Sequence, residues 1–291
     1  MEEVRGRQRH IRIKEFGGGT VRDMVPQAEY IALSDGSISD QNYRITTTDD
    51  GFIYNPSFRK GQENPVFVLG DSFVESSFVP QGKRFCDVLT RKMSKTIPRE
   101  FLNAGYSGAT SLNLLDTLIN KVAGYGNRPA VVFVLPSNDV LSLQFEGGYW
   151  DMSNQRYSPI LPVSPVKATS VDLEENIHQL SSIMKVMAQT CNAFSMDLFF
   201  ATMPYVQTDF DALPWFVSRH KTVDVYEGLK AKRRKVNQVL RDTAQRQRVE
   251  LIDLEASMQT TSHFYDDVHL NETGSAAVAQ LIYKQIGKLL G

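Results

Sequence analysis

The chain has 291 residues, 42% of them apolar, and its 32 Lys and Arg nearly balance its 33 Asp and Glu, leaving a formal net charge of -1. That is enough apolar material for a substantial core, and the charge balance excludes an obvious polyanion binder, so nucleic acid is not an expected partner. No apolar run reaches the length of a bilayer span and the start, Met1-Glu2-Glu3-Val4-Arg5, lacks the apolar stretch of a secretory leader; the compartment stays open.

Residues 1–64 are polar and Gly-rich, with a Gly17-Gly18-Gly19 run and a short alternating piece at Tyr43-Arg44-Ile45-Thr46. They are expected to form an N-terminal extension of a few short strands packing on a main domain of residues 65–291. From Pro65 onward, strand and helix alternate. Apolar runs at Val66 to Leu69, Phe101 to Ala104, Val131 to Leu135, Leu198 to Ala201 and Val249 to Ile252 have the length of buried strands. Helix-period segments lie between them at about Phe85 to Ser94, Ser111 to Ala123, Leu173 to Cys191 and Glu227 to Gln247. A last helix runs from about Glu272 to Leu289, with Asn271 as its cap. Strict alternation predicts an α/β fold: a five-stranded parallel sheet between two helix layers, with sites beyond the carboxyl ends of the strands. Cys86 and Cys191 stand without Cys-x-x-Cys or His-rich neighbours and read as small buried hydrophobes, so no metal is expected.

Three polar words fall where such a sheet places its site: Gly70-Asp71-Ser72, Ser137-Asn138-Asp139 and Asp266-Asp267-Val268-His269. Ser72, at a strand-to-helix turn, is a nucleophile or an ordinary helix cap. Asp266 stands three residues before His269 and can reach its imidazole, whereas Asp267 is expected to point elsewhere; a surface Asp and His pair is the plainer alternative. Asn138 ends a strand where its amide can donate to an oxyanion or cap a turn, and Asp139 reads as a local hydrogen-bond anchor. In Asn103-Ala104-Gly105-Tyr106-Ser107-Gly108, Gly108 lies farther past the strand and is the preferred oxyanion donor beside the Ser72 N–H, with Gly105 letting the chain turn out of the sheet.

Two long connections, Leu141 to Val171 and Met203 to Val225, also follow strand carboxyl ends and should wall the same cleft. Their aromatics Tyr149, Trp150, Trp215 and Phe216 either stack on sugar rings or pack their own loops. The basic run Lys230 to Lys235 reads as a solvated helix face.

Together the words resemble the blocks of the SGNH hydrolases, also called the GDSL esterase and lipase family, from about Pro65 to the C terminus. The resemblance implies a flavodoxin-like three-layer α/β/α sandwich that needs no cofactor. It also implies a triad of Ser72, His269 and Asp266, and an oxyanion hole from Ser72, Gly108 and Asn138. One position departs from the pattern: Pro136 stands where the third block begins with glycine, and proline fixes φ and removes an N–H. The expected function is a serine ester hydrolase removing an acyl group, most simply acetyl, from a carbohydrate or similar small ester through an acyl-enzyme. The alternatives are an O-acyltransferase using the same triad on a polysaccharide, and a non-catalytic glycan-binding relative.

Overall fold

The structure, a computed structural model, describes residues 10–57, 65–94, 99–125, 128–161, 166–287 and 289–290. The start Met1 to Arg5, the Phe58 to Asn64 end of the extension and part of the Leu141 to Val171 connection therefore lie outside the described residues.

In chain order the elements are β1 (His10–Ile11), β2 (Val21–Met24), α1 (Ala28–Ala32), β3 (Tyr43–Thr46), β4 (Val66–Gly70), α2 (Ser72–Glu75), α3 (Phe85–Met93), β5 (Phe101–Gly105) and α4 (Ser111–Thr117). A π-helical turn, Leu118–Val122, continues α4. Then come β6 (Ala130–Val134), α5 (Asp139–Ser142), β7 (Ile160–Leu161), α6 (Leu173–Ala193), β8 (Asp197–Ala201), α7 (Pro214–His220), α8 (Val223–Gln247), β9 (Glu250–Ile252), α9 (Leu254–Ser257) and α10 (Glu272–Ile286).

Five strands form one parallel sheet in the order β5-β4-β6-β8-β9. Its central strands read as unbroken apolar runs because both faces are covered. The side-chain period of two then divides each strand between two cores. Phe67, Leu69, Val131, Phe133 and Phe200 face a core closed by α4, α6 and α8. Val66, Val68, Val132, Val134 and Phe199 face another, closed by α3, α7 and α10. This is the expected three-layer α/β sandwich. Cys86 and Cys191 are buried, one in each core, with free thiols whose pKa burial pushes up.

Asn271 caps α10 as expected, its side chain accepting from the Gly274 N–H at 3.0 Å. Gly105 differs from expectation. It is the last residue of β5, and a Cβ there would meet the Glu75 backbone nitrogen at 2.2 Å. Glycine is needed so that α2 can settle onto the strand end, not to turn the chain.

Residues 10–57 hold short strands and also a helix, α1, that the sequence reading did not foresee. β2 and β3 pair antiparallel, and β1 pairs with β7 in the connection before α6. The Ile53 N–H donates to the Asn103 carbonyl at 2.9 Å, so this segment touches the outer edge of the sheet at β5 and covers part of an otherwise unpaired edge.

Candidate active site

The order β5-β4-β6 places the chain's reversal of direction at β4, and a crevice opens beyond the strand ends there. Ser72 follows β4 as the first residue of α2, Gly108 follows β5 and Asn138 follows β6. The loop before α10 brings Asp266 and His269 to the same end. His269 Nε2 lies 2.7 Å from Ser72 Oγ, and His269 Nδ1 lies 2.7 Å from Asp266 Oδ2. The i, i+3 spacing works because Asp266 turns back on its own loop: its Oδ1 accepts the backbone N–H groups of Val268 (2.9 Å) and His269 (2.7 Å).

Asp266 is fully buried, and its Oδ2 is crowded with donors. Besides the imidazole it accepts from Tyr30 Oη at 2.5 Å and from Arg219 Nη2 at 3.3 Å. Burial alone would raise the carboxyl's pKa, but His269, Arg219 and Tyr30 outweigh it and hold the pKa far below the ordinary range. For His269, burial opposes the imidazolium, and the adjacent Asp266 carboxylate overcomes that penalty, so its pKa is raised above the ordinary 6.5. The Tyr265 ring stacks on the imidazole, with centroids 5.5 Å apart and planes 9° from parallel.

Asp267 does point elsewhere. It pairs with Arg219 Nε at 2.7 Å and with Arg233 Nη2. Arg233 belongs to the Lys230 to Lys235 run and is 6% exposed, which corrects the reading of that run as a wholly solvated face: one of its cations turns inward to balance a buried carboxylate.

Asn138 sits beside Ser72's loop, but its amide is engaged. Nδ2 donates to Asp71 Oδ2 at 3.1 Å and to the Ala109 carbonyl at 3.0 Å. Asp71 is a buried hub that also accepts the Ser137 N–H and hydroxyl, each at 2.7 Å, and caps α2 at the Phe73 N–H. The loop after Pro136 is thus drawn to Asp71, and Asn138 can serve an oxyanion only by sharing or releasing one of its two bonds. The N–H groups of Ser72 and Gly108 have no acceptor among the described residues. Gly108 adopts φ +80°, the region that favours glycine. Asp139 anchors α4 as expected, accepting from the Ser111 N–H and hydroxyl, and burial raises its pKa to about 7.

A cavity of about 350 Å³ opens over Ser72 and His269. Met24, Val25, Gln27 and Tyr30 form one wall, all from the N-terminal segment, and Ser77, Phe78, Ser107, Arg156 and Tyr265 complete it. None of the four aromatics expected as sugar platforms lines it. Tyr149 and Phe216 are 1% and 0% exposed and offer no ring face to a ligand; Phe216 packs against Tyr226 and His220. Trp150 is exposed and Trp215 half-buried, both outside the cavity. The two long connections contribute polar groups to the site instead, Arg156 from one and Arg219 from the other.

Sequence reasoning missed Tyr30 and Arg219. Arg219 had a usable signal, since adjacent Asp266 and Asp267 in a buried loop demand cations, and Arg219-His220-Lys221 stands in a connection expected at that end. Tyr30 had none: its partner is 236 residues away. The segment is nonetheless fastened to the loop that carries Asp266 and His269. The Asp35 N–H donates to the Tyr265 carbonyl at 2.9 Å, and Asn271 Nδ2 donates to Asp35 Oδ2 at 3.3 Å.

Among the described residues no group of three or more His, Cys, Asp or Glu could hold a metal ion, and no helix is long and apolar enough to cross a membrane.

The sequence matches the GDSL-like Lipase/Acylhydrolase family over residues 68–277. Comparison with curated proteins gave no match. Three solved structures illustrate the similarity. Axe2, an acetylxylan esterase from Geobacillus stearothermophilus, is 15% identical over 79% of this chain and 97% of its own, with TM-score 0.53. LAE5, an alpha/beta hydrolase enzyme from the metagenome of Lake Arreo, Spain, is 16% identical over 80% and 98%, with TM-score 0.54. The psychrotrophic esterase EstA from Pseudoalteromonas sp. is 14% identical over 78% and 99%, with TM-score 0.52. At these identities the likeness is one of fold, whereas the sequence match covers most of the chain and leaves Tyr30 outside it. The chain belongs to the GDSL-like lipase/acylhydrolase family and is a carboxylic ester hydrolase.

Proposed function

We propose that Ser72, His269 and Asp266 act as the catalytic triad and that the enzyme removes a small acyl group, acetyl in the simplest case, from a carbohydrate or similar alcohol. The observation that carries this reading is the unbroken relay from Ser72 Oγ through both imidazole nitrogens to Asp266 Oδ2, with both links at 2.7 Å. His269 Nε2 takes the Ser72 proton as Oγ attacks the acyl carbon. The buried Asp266 carboxylate stabilises the imidazolium that results. Negative charge then gathers on the former carbonyl oxygen, where the N–H groups of Ser72 and Gly108 receive it, with Asn138 as a third donor through a shared bond. The imidazolium next protonates the departing alcohol, and water activated by the same nitrogen resolves the acyl-enzyme.

Several features support a small acyl group and a polar alcohol. The cavity is about 350 Å³, and its wall mixes Met24, Val25 and Phe78 with Gln27, Ser77, Ser107 and Arg156. Acetylxylan esterases share the fold, which makes acetylated sugars the first class to try.

The test is labelling by a fluorophosphonate together with hydrolysis of 4-nitrophenyl acetate, in the wild type and Ser72→Ala. Loss of both, with an unchanged circular dichroism spectrum, is the expected result. Labelling that persists in Ser72→Ala would place the nucleophile elsewhere. Product analysis of a sugar acetate with and without an oligosaccharide acceptor separates hydrolysis from acyl transfer.

A further inference from the structure

We propose that the alcohol portion of the substrate carries an anionic group, a carboxylate in the simplest case, and that Arg156 binds it. The inference rests on Ser72 as the nucleophile, since it places the anion relative to that hydroxyl.

Arg156 is exposed, lines the cavity with Ser72 and His269, and lies against the proposed oxyanion donor: a Cβ built on Gly108 would stand 3.2 Å from Arg156 Cγ and 3.4 Å from Nε. Its guanidinium makes no ion pair or hydrogen bond to any described residue and lies over the Tyr157 ring, 5.8 Å from its centroid. No Asp or Glu lines the cavity. Behind the wall, Glu75 is engaged by the Ser77 hydroxyl and the Ser107 N–H, and Asp266 by His269, Tyr30 and Arg219.

Two more cations crowd the same loop. Lys14, 4% exposed, donates its ammonium to the Arg156 carbonyl, and Arg12 Nη2 donates to the Gln155 carbonyl. Among the described residues neither is paired with a carboxylate, and the buried Arg12 Nε has no partner. Burial pushes the Lys14 pKa down to about 8, and the charges of Arg12 and Arg156 add to that in the same direction. Three cations gathered with no counter-charge among the described residues repel one another, and an incoming anion would relieve that repulsion. The proposed acyl group is small and uncharged, so the charge belongs on the alcohol. An acylated acidic sugar has the required chemistry.

The test compares kcat/KM at low ionic strength for two matched pairs: mono-O-acetyl methyl glucuronoside against the corresponding glucoside, and 4-acetoxybenzoate against its methyl ester. The acidic member of at least one pair should be favoured about tenfold, a modest figure because the guanidinium is open to solvent, and added salt should shrink the advantage. A preference in the sugar pair alone assigns a sugar acid; a preference in both assigns the carboxylate itself. Arg156→Gln should abolish the preference by lowering kcat/KM for the acidic member of a pair more than for its neutral match, a ratio in which any general loss of activity cancels, with the circular dichroism spectrum unchanged and Ser72 still the residue that fluorophosphonate labels. Equal rates within both pairs, or a preference that survives Arg156→Gln, overturns the inference while labelling at Ser72 stands. Loss of labelling specificity for Ser72 would instead remove the reading beneath it.

Discussion

Replacing Tyr30 by phenylalanine removes one oxygen from a segment outside the family match, and it should change the acid-base behaviour of a histidine it barely touches. The phenol donates to Asp266 Oδ2 at 2.5 Å and stays 3.4 Å from His269 Nδ1. Burial, then the Asp266 charge, raises its pKa far above the usual range, so it remains a donor at every working pH. A hydrogen bond to a charged acceptor contributes about 1.5–3 kcal/mol. When it is lost, the carboxylate becomes the stronger acceptor, and the two donors left on Oδ2, His269 and Arg219, share the difference. If about half goes to the imidazolium, at 1.36 kcal/mol per pKa unit His269 rises by roughly 0.5–1 unit. The acidic limb of the kcat/KM profile with 4-nitrophenyl acetate should therefore move upward by that amount. The ring is kept, along with its contacts to Phe78 and Tyr265 at 5.7 and 6.2 Å, so the thermal midpoint should fall only by the several degrees that losing one such hydrogen bond costs. A variant whose limb overlays the wild type would refute the reasoning, because a residue that only packs would leave the profile where it was.

For the wild type, the active form carries a neutral imidazole, and a pKa raised above 6.5 means activity is lost on acidification with a midpoint above that value; a midpoint at or below 6.5 contradicts the role assigned to Asp266. Arg233→Met leaves Asp267 buried with Arg219 as its remaining cation and should destabilise the fold by about 3 kcal/mol in urea titrations, whereas a loss below about 1 kcal/mol would mean the pair contributes little.

What the sequence disclosed and what it withheld divide along the range of the interaction. Strands β4, β5 and β6 were legible because residues buried on both faces leave an apolar run that needs no knowledge of partners, and β8 and β9 because their more buried C-terminal ends keep part of such a run. Ser72, Gly108 and Asn138 were legible as positions because strand ends in a parallel sheet converge, and Asp266 with His269 because three residues span one turn. Orientation was not. Tyr149 and Phe216 stand in connections at the correct end of the sheet and still face inward, since a loop's location does not determine which way its side chains turn. The Lys230 to Lys235 run misled in the same way: counted as charge it belongs to solvent, but Arg233 turns toward Asp267.

The charges around Asp266 and His269 tie residues 10–57 to a proposed triad whose motifs all lie beyond them. Two adjacent buried carboxylates, Asp266 and Asp267, need compensation, and Arg219 bridges both, at 3.3 and 2.7 Å. That leaves Asp266 Oδ2 shared among an arginine, an imidazole and a phenol, with the imidazole closer than the arginine. Each donor weakens the carboxylate's hold on the others. The strength of His269 as a base is therefore set jointly by its own loop, by α7 and by Tyr30 of α1. If Ser72, His269 and Asp266 react as proposed, the three motifs supply the reacting atoms, while the pH at which they work is decided by the two donors the motifs do not contain.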